Sequence, residues 1–99
     1  MLEKVKVGGI DYQVVLKDLD TRSDDQTGQQ LGWCVVGDNL IEINSKAHET
    51  RQDQTLIHEL THAMFFEAGI EDDEDLVNRL GLILYQLLKD NDFSWLCRR

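Results

Sequence analysis

Thr55-Leu56-Ile57-His58-Glu59-Leu60-Thr61-His62-Ala63-Met64 is the stretch whose reading decides the fold. It contains H-E-x-x-H. On a helix, His58 and His62 stand at i and i+4, one above the other on one face, so both imidazoles reach a common point. Glu59 is rotated by about 100° from His58, beside such a point rather than on it. Leu56, Ile57, Leu60, Ala63 and Met64 leave Glu59 as the one carboxylate among them. A solvated helix carries Lys, Glu or Arg on its outer face. This one is apolar almost all round and is expected to be buried. Burying two histidines and a glutamate without partners costs on the order of several kcal/mol. The spacing therefore points to a metal site. His58 and His62 are its ligands, and Glu59 is the carboxylate that takes a proton from a metal-bound water. The competing reading is a pair of hydrogen-bonded core histidines with Glu59 in a salt bridge.

Outward from this stretch, Thr50-Arg51-Gln52-Asp53 has the form of a capping box, which predicts a helix over about 51–68 with Gly69 as its stop. Ile70 to Asp73 form a short acidic connection. A second helix is expected over about 73–90. Leu76, Leu80, Ile83 and Leu87 form its core stripe, flanked by Val77, Leu84 and Leu88. Residues 91–99 read as a tail that Phe93, Trp95 and Leu96 pin to the body.

Upstream, Val5 and Val7 alternate with Lys4 and Lys6 ahead of Gly8-Gly9, a two-residue hairpin signal. Strands are expected near 3–7 and 10–16. The polar stretch from Lys17 to Gln30 reads as a mobile loop whose aspartates are solvated charge, without the spacing of a calcium loop. Leu31 to Val36 and Leu40 to Asn44 read as a second hairpin around Gly37-Asp38-Asn39. On the last strand, Leu40, Glu42 and Asn44 share one face, and Ile41 and Ile43 the other.

The chain has 99 residues, enough for one domain with a modest core. Its net charge of -9 argues against nucleic acid or an anionic membrane surface as main partner. The amino-terminal MLEKVKVGGI has no apolar core of a signal peptide, and the longest apolar run is too short to span a bilayer. A cytoplasmic protein is expected, with Cys34 and Cys97 as free thiols.

The HELTH stretch resembles the active-site helix of the zincin metallopeptidases. The size of the chain, the short strands before that helix and the acidic helix after it resemble small ImmA/IrrE-like or phage-type minimal metallopeptidases. The resemblance implies an α+β fold of the zincin type over residues 1–99. In it, a small antiparallel sheet of two hairpins packs on the active-site helix and a second, carboxy-terminal helix. It also implies Zn2+ as cofactor, a protein or peptide substrate, and substrate binding by strand addition along residues 40–44 (Ile41, Glu42, Ile43). Catalytic zinc takes three protein ligands. No histidine follows His62, His48 reads as a surface residue, and Glu67 points elsewhere around the helix. The acids from Glu71 to Asp75 remain. Glu74 is the expected ligand, because Glu74 with Asn78 resembles the E-x-x-x-D layout of glutamate-ligand zincins. Asn78 stands where that layout has Asp, and Glu71 and its neighbours stay open as alternatives. Gly81, nearly on the face of Glu74, would let the two helices approach closely. All five acids could instead serve the helix dipole.

The implied reaction is peptide-bond hydrolysis by a zinc-activated water with Glu59 as general base. No oxyanion donor is evident: Tyr85 is about 16 Å from Glu74 along the helix, Tyr12 is unplaced, and Trp33 reads as core. A minimal site of this kind suits a narrow or partner-dependent activity. The alternative is a non-catalytic, zinc-stabilised protein-binding module in a regulatory or phage accessory role.

Overall fold

The computed structural model of the protein describes residues 3–19 and 31–99. Two consecutive left-handed glycines, Gly8 (φ 57°) and Gly9 (φ 86°), make the tight turn that twisted antiparallel strands need. They join β1 (Lys4–Val7) to β2 (Ile10–Lys17), with Val7 opposite Ile10 and Val5 opposite Tyr12. β3 (Gly32–Val35) and β4 (Leu40–Asn44) form the second hairpin through a short 3-10 turn at Val36–Asp38 and a left-handed Asn39 (φ 50°). Both hairpins are as expected.

The way they join is not. The strand order is β1-β2-β4-β3, and β2 pairs with β4 in parallel, Val14 beside Ile41 and Leu16 beside Ile43. The sheet is therefore mixed rather than antiparallel. A long connection after β2 lets the chain run to the far edge, lay down β3, and return through β4 into the middle. The expected mobile loop over residues 17–30 falls for the most part on residues 20–30, outside the described residues. Its beginning is ordered: Lys17 ends β2 and Leu19 is fully buried.

As a central strand, β4 is buried on both faces. Ile41 and Ile43 are fully buried, and with Tyr12 and Val14 they form the core under α1. On the other face Glu42 accepts from Trp33 Nε1 and pairs with Lys17 Nζ at 3.4 Å. The Asn44 carboxamide oxygen accepts from the Leu19 and Lys46 amides at 3.4 and 3.0 Å. Each buried polar group of β4 thus has a partner, as burial requires.

Helix α1 (Glu49–Glu67) packs on β1, β3 and β4. It starts two residues before the expected position, because His48 is its N-cap: its Nδ1 accepts from the Thr50 amide at 3.2 Å. The capping box is not formed, and Thr50 lies in the first turn. At the other end, Gly69 (φ 72°) closes a Schellman motif in which the Gly69 amide donates to Phe66 O and the Ile70 amide to Phe65 O. The buried Tyr12 hydroxyl donates to Glu67 at 2.7 Å and ties this helix end to β2.

Helix α2 (Glu74–Asp90) is capped by Asp73 and packs on α1. Its expected core stripe is a correction. Val77 and Gly81 are buried, but Leu76, Leu80, Ile83 and Leu87 are 42%, 50%, 64% and 42% exposed. The amphipathic pattern is present, but α1 contacts the neighbouring face. Phe93, Trp95 and Leu96 are also exposed, so they do not pin the tail. No helix among the described residues is long and apolar enough to cross a membrane.

Two glycines test the packing in opposite directions. A Cβ at Gly32 would lie 2.8 Å from both Glu42 O and Thr55 Cγ2. One at Gly81 would lie 3.6 Å from His58 Cα and Thr61 Oγ1, ordinary contact. Gly32→Ala should lower unfolding free energy by about 1–3 kcal/mol through overpacking. Gly81→Ala should be neutral or gain up to about 1 kcal/mol from helix propensity. Urea denaturation of both variants checks the contrast.

Candidate metal centre

The alternating burial along α1 places His58 and His62 at the surface of the core, both half-buried, with their rings in edge contact at 5.0 Å. The Schellman end turns the chain back within six residues, so α2 begins beside the histidines. Glu74, its first residue, reaches both. Its Oε1 is 3.0 Å from His58 Nε2, and its Oε2 is 2.9 Å from His62 Nε2. One nitrogen from each imidazole and one oxygen of the carboxylate lie within 4.8 Å of one another. Ligand atoms held about 2 Å from one ion sit roughly 3–3.5 Å apart in a tetrahedron, so this trio fits a small divalent cation after minor adjustment. Two imidazoles and a carboxylate are also a donor set that suits zinc. Among the acids between Glu71 and Asp75, Glu74 is the one that joins the two histidines. His48 caps α1 and Glu67 bonds Tyr12, both away from the site.

Asp72 has a role that the sequence reading did not separate from its neighbours. Its Oδ1 lies 2.7 Å from His62 Nδ1. A proton held on Nδ1 by that carboxylate leaves the Nε2 lone pair of His62 facing Glu74, and the pairing orients the ring as supporting carboxylates do for metal-bound histidines. Five acids in a row gave no signal for this. What could have found it is the fixed length of the connection, which brings Asp72 back to one side of the His62 ring and Glu74 to the other.

Glu59 is 7% exposed and lines the cleft beside the histidines. Burial pushes its carboxyl up to about 7; His62 opposes the rise, while the Glu74 and Asp72 carboxylates add to it. The same surroundings affect Cys34, which lines the cleft from β3. Burial pushes its thiol up to about 12, with the Glu59 and Asp72 carboxylates adding to the rise.

The cleft holds about 870 Å³. β3 and its flanking residues form one wall, α1 the floor and α2 the opposite wall. Trp33 and Tyr85 both line it, so Trp33 is not the core residue expected, and Tyr85 stands along the wall formed by α2. Tyr12 lies in the core, donating to Glu67. The strand expected to bind substrate is a correction. Ile41, Glu42 and Ile43 belong to β4, which is paired along both edges, and the two isoleucines are fully buried. With its backbone groups committed to β2 and β3, β4 has no edge for an added strand.

Residues 11–81 match the model of the IrrE N-terminal-like domain, Peptidase M78. The chain belongs to this family. The matched segment runs from β2 through Gly81 and includes His58, Glu59, His62 and Glu74. The IrrE N-terminal-like assignment makes the chain a metallopeptidase-like domain and agrees with a metal-binding role for the trio. No curated protein and no solved structure gives a significant match.

Two measurements follow from the site. The fold binds the Glu59 proton more tightly than the unfolded chain, where a glutamate titrates near 4.5. Unfolding free energy of the metal-free protein should therefore fall as pH rises from about 4.5 to about 7 and level off above, by roughly 3 kcal/mol at most. Glu59→Gln should flatten that decline in thermal melts taken across this range. Separately, Asp72→Asn should weaken zinc binding by about 10–100-fold in competition with a chromophoric chelator, by loosening His62.

Proposed function

We propose that this chain is a zinc-dependent metallopeptidase that hydrolyses peptide bonds in a protein or peptide substrate. The observation that carries this reading is the placement of a buried Glu59 beside three converging donors, His58, His62 and Glu74, on the floor of an open cleft. When bound, zinc would acidify a water and polarise the scissile carbonyl. Asp72 holds the His62 ring in register. Glu59 takes a proton from the attacking water onto a carboxylate oxygen. It later delivers that proton to the leaving nitrogen as the carbon–nitrogen bond breaks. A carboxyl raised to about 7 suits both transfers, because it accepts and returns a proton near neutral pH. The cleft walls of β3 and α2 hold the peptide over α1. Nucleic acid is not the substrate on this reading, since the chain is acidic with a net charge of -9. Two free cysteines suit a reducing, cytoplasmic setting.

A second reading is favoured by one feature of the packing. α2 buries few of its side chains, so an ion joining Glu74 to α1 would act as a staple. A zinc-stabilised binding module would use the same three donors without needing Glu59.

Native mass spectrometry and a cleavage assay on one set of variants separate the two. The peptidase reading expects one zinc per chain, kept in Glu59→Gln and lost in His62→Ala and Glu74→Ala. It also expects cleavage reduced at least 1,000-fold in Glu59→Gln. Full function in Glu59→Gln, with unfolding in His62→Ala, would favour the staple.

A further inference from the structure

The cleft face of α1 is polar at one end and apolar at the other. Arg51, one helical turn before Thr55, lines the cleft at the end where Tyr85 and Leu82 of α2 also stand. Its guanidinium donates to Gln54 Oε1 at 3.3 Å and makes no ion pair among the described residues, in a chain with 19 acidic side chains. At the other end, Phe66 and Ile70 line the cleft with more than half of their area exposed, 55% and 53%. The donor trio lies between.

These positions translate into a peptide. Arg51 precedes His58 by seven residues, about 10 Å along a helix, which an extended chain covers in roughly three residues. Phe66 follows Arg51 by 15 residues, about 22 Å along the helix, or roughly six to seven residues of extended chain. A guanidinium with no carboxylate partner among the described residues selects a carboxylate, and exposed aromatic and aliphatic side chains in a concave wall select apolar ones.

We infer that the cleft is selective for peptides carrying an acidic residue and a large apolar residue about six or seven positions apart. Arg51 holds the first, Phe66 with Ile70 holds the second, and the scissile bond lies between them, nearer the apolar one. The inference deepens the peptidase reading above and rests on it for the position of cleavage, but not for the selection itself. The acidic partner is set by Arg51 even though the whole molecule is acidic, because the interaction is local and salt screens the remainder beyond about 8–10 Å.

The test is selection of a random dodecapeptide library on the zinc-loaded, full-length Glu59→Gln protein, which binds without cutting, followed by sequencing of the retained peptides. The expected result is an acidic and a large apolar residue at a separation of about six or seven. With Arg51→Glu in the same background, Lys or Arg should replace the acid at the same spacing. Phe66→Ala, at an exposed position, should lose the apolar preference and keep the acidic one. Retained peptides without this pair, the same acidic preference after Arg51→Glu, or no retained peptides would each overturn the inference. The retained peptides are then offered to the zinc-loaded native protein. Selection with the expected spacing but no cleavage would sink the peptidase reading alone. Cleavage without that selection would sink this inference alone.

Discussion

Much of the structure depends on one carboxylate. Glu74 stands between His58 and His62, within 3.0 Å of one ring nitrogen and 2.9 Å of the other. The histidines belong to α1, which the sheet holds firmly; Glu74 belongs to α2, which rests on α1 through Val77, Gly81 and little else that is buried. The position of α2 is therefore set from its first residue. The Schellman end at Gly69 and the Asp73 cap limit how the chain can return. Within that limit, Asp72 meets the Nδ1 side of the His62 imidazole and Glu74 meets the Nε2 side. A connection longer by a few residues would not impose both contacts.

The electrostatics follow from this crowding. Glu59, Asp72 and Glu74 surround two imidazoles, and the chain as a whole carries a charge of -9. Burial of Glu59 and repulsion from its two neighbours both favour its protonated form, and His62 opposes them only in part. The result is a local negative potential with a carboxyl poised near neutrality. A divalent cation is favoured in such a place on Coulombic grounds, and the nitrogen and oxygen donors are of the kind such an ion takes. The convergence of donors and the raised Glu59 carboxyl have one origin, which is carboxylates held close together at the edge of the core.

How much of this was legible in the sequence differs from element to element, for physical reasons. His58, Glu59 and His62 were legible because helical periodicity alone sets their relation. Glu74 was singled out as a candidate through the resemblance of Glu74 and Asn78 to the E-x-x-x-D layout, and the structure brings it to both histidines, whereas Asp72 was not, because its contact depends on where the turn places it. Both hairpins were legible in local turn chemistry, Gly8-Gly9 above all. The parallel pairing of β2 with β4 was not, since turn signals determine which neighbours pair and not how two hairpins join. His48 as the cap of α1 was missed because a histidine ring nitrogen can do what Ser, Thr or Asp usually does. The apolar stripe of α2 was read correctly as a pattern and wrongly as core. Periodicity shows that a helix has an apolar face, but not whether this chain covers it.

The misplaced strand bears most directly on function. With β4 in the middle of the sheet, the wall of the cleft falls to β3, and β3 is held there by a residue without a side chain. At Gly32 the backbone lies so close to β4 and α1 that a single methyl group would meet Glu42 O and Thr55 Cγ2 at 2.8 Å. Thr55 precedes His58 by three residues on the same helix, on the floor of the cleft. Any displacement of β3 from Thr55 would therefore widen the cleft beside the histidines and carry Trp33 and Cys34 outward with it. In this fold the separation between the strand wall and the histidine-bearing face of α1 is set by what Gly32 lacks. The core packing of β4 under α1, through Ile41 and Ile43, fixes the surface against which that separation is measured.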